Sequence, residues 1–517
     1  MDLPFSLGDA QISSILQDKC QKFLGGFYTF IFSVPSVANI IKERIGDQLK
    51  NVDALLIWNE FKVRIYSEYF LGANRFVFSV HNLCLSQLND LNTLTHCYLK
   101  KWLGLPNGAS WALVHDAHGL YIKSISHLYM ESRALSLSKI RLFGDDRVRH
   151  ALDSKEDREE KWCRKFSSAT YVRDVLAEVV PQVAPNNQEV VGNTLDLSLG
   201  SSEQFSPLPE GLVEEVAAVE AAVNASAPTS RALTQNQLKS KIQGGVQSHV
   251  DDFWKEKVGH YIMQGDYLAL LMEEDSCITW KSYLWDIIQG VLKFAINAGI
   301  NTLPTYDNLK RWGKRVNDRC SFCGNIQTLA HVLSNCSTAL EQGRFTWRHN
   351  SVLRSFIEIL LPRLKPGVVF YSDLDGFQAP HGGTIPPDIL VTSLRPDLFF
   401  IDRSSRRVAL LELTCPWDSN VARSHSYKES KYAPLVSDLS REFKVFQYSI
   451  EVTARGQVTK ENKSRLKCLA YEFCNDSKSA TKLLVSNGSK AALLSSYSLF
   501  SARNEPSWSV TNPLIAR

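Results

Sequence analysis

The sequence predicts a multidomain α+β protein in which helical regions precede a small α/β sheet near the C-terminus. Apolar residues recur at helical spacing in LSQLNDLNTLTHCYLKKWLGL (85–105), which is typical of an amphipathic helix. Short β-rich runs crowd residues 368–415, and a close group of cysteines lies between these two kinds of pattern. A chain of 517 residues corresponds to about three domains, so each pattern can belong to a domain of its own.

The overall composition is that of an ordinary globular protein. Hydrophobic residues make up 44% of the chain and charged residues 22%, which is enough apolar surface for a sizeable core. A formal net charge of +4 does not by itself indicate a nucleic-acid binder, so any basic surface must be local. The 11 cysteines are mostly scattered, which favours a reducing compartment over a disulfide scaffold.

The N-terminal region predicts neither a signal peptide nor a membrane span. The first residues, MDLPFSLGD, lack a basic segment. The stretch 23–41 carries no charge, but glycine, serine, proline and asparagine interrupt it. We therefore expect a core segment there rather than a transmembrane helix, and we expect no membrane partner.

Changes of pattern along the chain divide it into six parts. Residues before 180 have helical periodicity, whereas the following stretch is rich in Pro, Asn, Ser, Gln and Ala, which is typical of a disordered linker. The α/β part contains VVFYSD, DILVTSL, DLFFID and VALLELT as predicted strands, then a helix, then FKVFQYSIEVTAR as a further strand. The predicted parts are a helical region at 1–179, the linker at 180–235, a second helical domain at 236–319, a cysteine-rich module with its following helix at 320–366, the α/β domain at 367–480 and a C-terminal tail at 481–517.

Four potential zinc ligands lie within the stretch CSFCGNIQTLAHVLSNC. The Cys-x-x-Cys pair occupies a tight turn, and the histidine lies five residues before the last cysteine, so all four can converge on one ion. Three thiolates and one imidazole complete a tetrahedral site without an open position, which predicts a structural zinc ion rather than a catalytic one. The alternative is four unrelated buried residues. The predicted ligands are Cys320, Cys323, His331 and Cys336.

Basic residues flank this cysteine-rich module and alternate with aromatic residues. Basic side chains suit phosphate contacts, and Trp312 and Trp347 are suited to stacking on bases. We therefore expect a nucleic-acid-binding surface here, although a solvated basic helix would have the same composition. The candidate nucleic-acid-binding residues are Lys310, Arg311, Lys314, Arg315, Arg319, Arg344 and Arg348.

Acids and lysines in the α/β part have the residue types that metal-dependent phosphodiester cleavage requires. Asp397 opens the run DLFFID, and Glu412 lies near the end of the returning run VALLELT, so a hairpin can place both carboxylates at one end of the sheet. Carboxylate oxygens are ligands that Mg²⁺ prefers, and a nearby cation stabilises developing negative charge. Lys428 and Lys431 lie close to one face of the next predicted helix. The alternative is that all four are solvated surface residues.

Taken in order, these features resemble the C-terminal half of the polyprotein of non-LTR retrotransposons that carry a restriction-like endonuclease. YLKKWLGLP, HGLYIKSISHLY and IRLFGDDRVRHALDSK are similar to the helical thumb region that follows the polymerase palm. The Cys-Cys-His-Cys cluster is similar to the family's zinc knuckle, and GRFTWRHNSVL (343–353) to the segment after it. RPDLFF, LLELTCPW and HSYKESKY resemble the endonuclease. The resemblance covers most of residues 50–475.

The resemblance implies a restriction-like nuclease sheet of the PD-(D/E)xK type, with Asp397 and Glu412 as catalytic and magnesium-binding acids. Lys428 matches the catalytic lysine and Lys431 lies within the same pattern, so which of the two is catalytic stays open. His425 is similar to a residue just before that lysine. The resemblance also implies a structural zinc ion, a catalytic magnesium ion, a DNA target with element RNA as a second partner, and location in the nucleus with the cytoplasm as the alternative.

Two features depart from the family pattern. Many such nucleases carry a lysine two residues after the second acid, where this chain has Thr414, so the lysine has to come from the next helix. The family's polymerase fingers and palm lie upstream of the matched region, and the FGDD stretch at 143–146 lies in a basic, helical pattern instead of a hairpin. We therefore expect a DNA-nicking endonuclease without reverse transcriptase activity of its own. The alternative is a catalytically inert, nucleic-acid-binding remnant or a domesticated retrotransposon protein.

Overall fold

The computed structural model describes residues 34–143, 145–148, 150, 234–380 and 382–508, together with four short strands near the N-terminus. These strands form two antiparallel hairpins, β1 (Phe5–Leu7) with β2 (Ala10–Ile12) and β3 (Gln21–Phe23) with β4 (Gly26–Tyr28). The predicted linker at 180–235 lies outside the described residues, apart from residues 234 and 235.

Beyond those hairpins, helices joined by loops make up the described part of the region before the predicted linker. Its helices are α1 (Val34–Ala54), α2 (Asn59–Ile65), α3 (Leu71–Val80), α4 (Leu85–Leu103), α5 (Ala112–His115) and α6 (Ile125–Phe143), with a π-helical turn at Tyr66–Phe70. α4 buries Leu88, Leu91, Leu99 and Trp102 at helical spacing and ends at Gly104, which adopts the left-handed conformation that terminates many helices. Among the described helices, none combines the length and apolar character that crossing a membrane requires.

A second group of helices follows the predicted linker and packs on the first group. It consists of α7 (Gln235–Gly259), α8 (Asp266–Glu273), α9 (Gln289–Gly299) and α10 (Tyr306–Arg311). Thr234 caps α7 by accepting a hydrogen bond from the main-chain N–H of Gln237. The buried residues Leu238, Ile242 and Val246 lie four positions apart on α7 and join the same hydrophobic core as α6. The two helical regions on either side of the linker therefore share one core.

A four-stranded mixed sheet occupies the C-terminal part. Its elements in chain order are α11 (Ser337–Glu341), α12 (Arg344–Leu360), β5 (Val368–Ser372), β6 (Leu398–Asp402), β7 (Arg407–Thr414), α13 (Val421–Leu439), β8 (Lys444–Glu451), α14 (Lys460–Phe473) and α15 (Ser477–Ser501). The spatial order is β5-β6-β7-β8, with β5, β6 and β7 antiparallel and β8 parallel to β7. The connection through α13 makes this parallel pairing possible. The predicted mixture of helices and a sheet is therefore confirmed.

Both faces of this sheet are buried, because side chains alternate between two cores. Phe400 and Leu411 lie in the core formed with α12, α14 and α15. Phe399 and Leu410 lie in the opposite core, beneath α13. Asp397 precedes Phe399 by two residues and Glu412 follows Leu410 by two, so both acids belong to the face that α13 covers. This alternation places the acids at the sheet end next to that helix.

Two details of the C-terminal part differ from the sequence prediction. DILVTSL does not form a strand, because Pro386 and Pro387 begin a turn there, in which the main-chain N–H of Ile389 donates to the carbonyl of Pro386. Much of the predicted tail at 481–517 belongs to α15, which is buried against α12. The serine- and alanine-rich composition of α15 permits this close approach: a Cβ atom added at Gly488 would lie 2.5 Å from the Phe356 ring. Residues 509–517 lie outside the described residues.

Candidate active site and metal centre

Asp397 and Glu412 meet at one end of the sheet. The pairing of Leu398 with Leu411 sets the two acids side by side on β6 and β7. The main-chain N–H of Asp397 donates to Glu412 Oε1 at 3.1 Å, and the main-chain N–H of Leu413 donates to Asp397 Oδ2 at 2.7 Å. These main-chain bonds hold both carboxylates in fixed orientations. The hairpin thus brings together the two acids that the sequence analysis selects.

The two lysines of α13 lie in different surroundings. Lys428 Nζ donates to Glu412 Oε2 at 2.5 Å. Lys431 Nζ instead lies 3.1 Å from the hydroxyl oxygen of Tyr432 and 4.7 Å above the centre of its ring. The same hydroxyl donates to the main-chain carbonyl of Arg395, just before Asp397. Lys428 therefore contacts Glu412 directly, whereas Lys431 packs against a residue that supports the loop before Asp397.

A histidine that the sequence analysis does not select completes this group. His349 lies on α12, and its Nε2 is 3.2 Å from Asp397 Oδ2 and 3.2 Å from the main-chain carbonyl oxygen of Leu413. Its Nδ1 is 3.0 Å from Asn350 Oδ1. The only sequence signal for it is a histidine in the segment after the cysteine cluster, almost fifty residues before Asp397. Tertiary folding alone brings α12 to this sheet end.

The charges of the site are balanced in pairs. Burial opposes ionisation of Asp397, but the adjacent His349 outweighs it and lowers the pKa of this carboxyl. Burial and the Asp397 charge raise the pKa of Glu412, while Lys428 acts against both. Burial lowers the pKa of His349, but the Asp397 carboxylate raises it by a larger amount. The pKa of His349 is therefore raised to about 8. Each acid thus has its own basic partner.

Two further acids lie at the same end of the sheet. The main-chain N–H of Asp373, just after β5, donates to the carbonyl of Asp397 at 3.2 Å. Glu451 ends β8 beside Thr414 and is 1% exposed. Its Oε1 lies 3.2 Å from Nδ1 of His425, which the resemblance associates with the lysine pattern. Burial raises the pKa of both Asp373 and Glu451. Each of the four strands therefore contributes one carboxylate to this end of the sheet.

The four predicted zinc ligands also converge, with their ligand atoms within 4.8 Å of one another. Cys323 Sγ lies 3.3 Å from His331 Nε2 and 3.8 Å from Cys336 Sγ. Two sulfurs bound tetrahedrally to zinc at roughly 2.3 Å are about 3.8 Å apart, so this spacing suits a shared ion. The main-chain N–H of Gly324, at a φ of 73°, closes the turn by donating to the Cys320 carbonyl at 3.0 Å. The cluster can bind a zinc-like metal.

The seven candidate nucleic-acid-binding residues divide into an exposed and a buried set. Arg344 and Arg348 are each 2% exposed, so they are not available to a phosphate backbone. Arg344 donates to the carbonyls of Ala502 and Glu505, and Arg348 to those of Leu333 and Cys415. Their expected role in nucleic-acid binding is therefore corrected to a structural one, because carbonyl acceptors occupy their guanidinium groups. The exposed set comprises Lys310, Arg311, Lys314, Arg315 and Arg319.

Aromatic side chains accompany the exposed set. Trp312 is 43% exposed, and Lys314 Nζ lies 6.0 Å from the centre of its ring. Trp347, by contrast, packs edge-on against Trp508, with ring centres 5.2 Å apart. Trp312 therefore remains a candidate for base stacking, whereas Trp347 contributes to packing. No family model matches the chain, and no curated protein matches it significantly.

Proposed function

We propose that this chain is a metal-dependent endonuclease that nicks DNA, with its active site at the sheet end that holds Asp397 and Glu412. One observation carries the proposal: Glu412 accepts hydrogen bonds from the main-chain N–H of Asp397, at the end of the neighbouring strand, and from Lys428 on the next helix. These three side chains come from separate elements of the sequence. A restriction-like nuclease sheet of the PD-(D/E)xK type would have these residue types in this order.

The residues at this site fit a magnesium ion. Asp397 and Glu412 offer hard carboxylate oxygens, and Asp397 is 13% exposed at its side chain, which leaves a route from solvent. When bound, the ion would polarise the scissile phosphate and acidify the attacking water. Lys428 would hold a fixed positive charge where the transition state becomes more negative. The main-chain bonds to both acids would keep the oxygens oriented before the substrate arrives.

The exposed basic residues near the zinc cluster supply a surface for the DNA. Lys310, Arg311, Lys314, Arg315 and Arg319 lie on α10 and the turn that follows it. Exposed cations of this kind bind phosphates with little dependence on sequence. Trp312 adds a ring on which a base of a distorted duplex, or of element RNA as a second partner, can stack. Together with the resemblance to non-LTR retrotransposon proteins, this surface supports a proposed location in the nucleus, where the DNA target would lie.

A nicking assay tests the proposal. The purified full chain, loaded with zinc, is incubated with supercoiled plasmid in the presence of Mg²⁺ or with Mg²⁺ withheld. Withholding the ion is preferable to chelation, because a chelator would also remove zinc. We expect open-circular plasmid only with Mg²⁺, and none from Asp397→Ala. Asp388→Ala, which removes an exposed carboxylate on the neighbouring loop, serves as the matched control and should nick like the wild type. Equal nicking by wild type and Asp397→Ala would rule out this active site.

The alternative function is a catalytically inert nucleic-acid-binding protein. Thr414 favours it, because it stands where many such nucleases carry their catalytic lysine. The same preparation distinguishes the two functions. A wild-type protein that shifts DNA in a gel but leaves supercoiled plasmid intact in Mg²⁺ would identify the remnant.

A further inference from the structure

The imidazole of His349 faces two oxygen atoms of the proposed active site. Its Nε2 lies 3.2 Å from Asp397 Oδ2 and 3.2 Å from the carbonyl oxygen of Leu413, the residue after Glu412. The side chain is 23% exposed and that of Asp397 13%, so both side chains lie at the edge of the protein, whereas Leu413 beneath them is buried. A small ion can approach the two side chains from solvent.

The hydrogen bond on the other side of the ring sets the tautomer. Nδ1 lies 3.0 Å from Asn350 Oδ1, an acceptor, so Nδ1 carries the hydrogen. In the neutral ring, Nε2 then presents its lone pair to the carboxylate and the carbonyl. Three lone pairs that face one another repel unless a cation lies among them, either a proton on Nε2 or a metal ion. Metal-binding histidines are commonly oriented in this way, through a bond from the other ring nitrogen.

We infer that His349 Nε2 is a protein ligand of the divalent ion, together with the Asp397 carboxylate and the Leu413 carbonyl, and that this nitrogen shifts the preferred ion from Mg²⁺ towards Mn²⁺. The inference rests on the proposed function and specifies its cofactor. Magnesium binds almost entirely to oxygen, whereas an imidazole suits transition metals. A site that mixes one imidazole with carboxylate and carbonyl oxygens suits Mn²⁺, which accepts both kinds of ligand.

His425 is a further histidine at this end of the sheet, but its contacts differ. Its ring nitrogens lie 3.2 Å from Glu451 Oε1 and 3.0 Å from Glu429 Oε1, and Arg465 is 3.1 Å from Nε2. The positive charge of the Arg465 guanidinium group would repel a second cation at His425 Nε2. His425 is therefore a suitable comparison: it lies at the same sheet end and is expected not to bind the ion.

The experiment detects the nitrogen ligand directly. The zinc-loaded full chain receives one equivalent of Mn²⁺, and pulsed electron paramagnetic resonance measures nitrogen hyperfine coupling to the bound ion. Zinc content is measured in the same samples, so that Mn²⁺ in the cysteine cluster is detected. We expect coupling in the wild type, in His425→Gln and in His260→Gln, an exposed control, and its loss in His349→Gln. The dissociation constant for Mn²⁺ should rise about tenfold or more in His349→Gln and much less for Mg²⁺.

Two results would overturn the inference: a Mn²⁺-bound wild type without nitrogen coupling, or coupling that persists in His349→Gln. The wild-type spectrum alone decides the matter if His349→Gln does not fold. The proposed function fails separately. If the protein nicks DNA and binds Mn²⁺ without nitrogen coupling, only the role of His349 is refuted. If the protein does not nick DNA, and if it also binds no ion that is lost in Asp397→Asn, both proposals are refuted.

Discussion

Arg348 donates a hydrogen bond to the main-chain carbonyl of Cys415 at 2.8 Å, three residues after Glu412. The same guanidinium group donates at 2.8 Å to the carbonyl of Leu333, which lies between two of the zinc ligands. One buried cation therefore joins the cysteine cluster to the strand that carries an acid of the candidate active site. The next residue of the same helix, His349, contacts the other acid.

Replacing Arg348 should destabilise both sites together. Arg348→Met leaves two buried carbonyls without their donor, so we expect the free energy of unfolding to fall by roughly 3 kcal/mol. Zinc retention and nicking should fall in the same variant. Arg354→Met, an exposed substitution on the same helix, is the matched control and should change none of these. Chemical denaturation, metal analysis and the plasmid assay provide the three measurements. An Arg348→Met protein with unchanged stability would show that Arg348 does not link the two regions.

The cysteine cluster should hold one zinc ion per full chain. Cys336→Ser removes a thiolate and should reduce the bound zinc to well below half an equivalent, whereas Cys277→Ser, an exposed cysteine, should leave it unchanged. Bound zinc should also be released as the pH falls, because protons compete for the thiolates. Metal analysis after desalting checks each expectation. Less than half an equivalent in folded, reduced wild type would show that the cluster is not a zinc site.

The two lysines of α13 should differ in their effect on cleavage. Lys428→Ala removes the cation that contacts Glu412, so we expect nicking to slow by about 10²–10³-fold, comparable to the loss of one transition-state donor. Lys431→Ala should slow it by less than about tenfold, because Lys431 contacts Tyr432 instead. DNA binding, measured by fluorescence anisotropy, should remain close to wild type in both. The opposite ranking would transfer the catalytic role to Lys431 and leave the acids in place.

Reverse transcription should not occur with this chain. Asp145 accepts hydrogen bonds from the main-chain N–H groups of Arg147 and Val148, so it begins a helical turn and is not part of a polymerase hairpin. A primer-extension assay with template and all four dNTPs should give no product. Template-dependent extension that disappears in Asp145→Ala would instead identify the FGDD stretch as catalytic.

The contact between His349 and Asp397 predicts a pH dependence of stability when no divalent ion is bound. The pKa of His349 in the folded protein is raised to about 8 from an ordinary value of 6.5. The contact therefore contributes its full stability below about pH 6.5 and loses it as the pH rises through about 8. The contribution is at most about 2 kcal/mol. An NMR titration of the ring should show the raised pKa, and Asp397→Asn should bring it down; an unchanged pKa in that variant would contradict the pairing.

The local features of this protein follow from its amino-acid sequence alone. Helical periodicity in residues 85–105 and short, mainly apolar, β-rich runs in residues 398–414 are local properties, so they follow from the residues alone. The compact spacing of Cys320, Cys323, His331 and Cys336 likewise allows only a short turn and helix to bring the ligands together. The turn between Asp397 and Glu412 is short enough that a hairpin pairs the two acids. Each of these inferences depends on contacts within about twenty residues.

The features that join distant segments depend on how the whole chain packs. Arg344 and Arg348 are residue types that a DNA-binding helix would expose, but carbonyl groups of Ala502, just after α15, and of Cys415, just after β7, accept their hydrogen bonds in the interior. The role of His349 depends on α12 crossing the sheet end that holds Asp397. α15 has the composition of a surface segment, yet its small residues let it pack closely against α12. A sequence pattern records which face of an element is apolar, whereas the partner that covers this face depends on the packing of the whole chain.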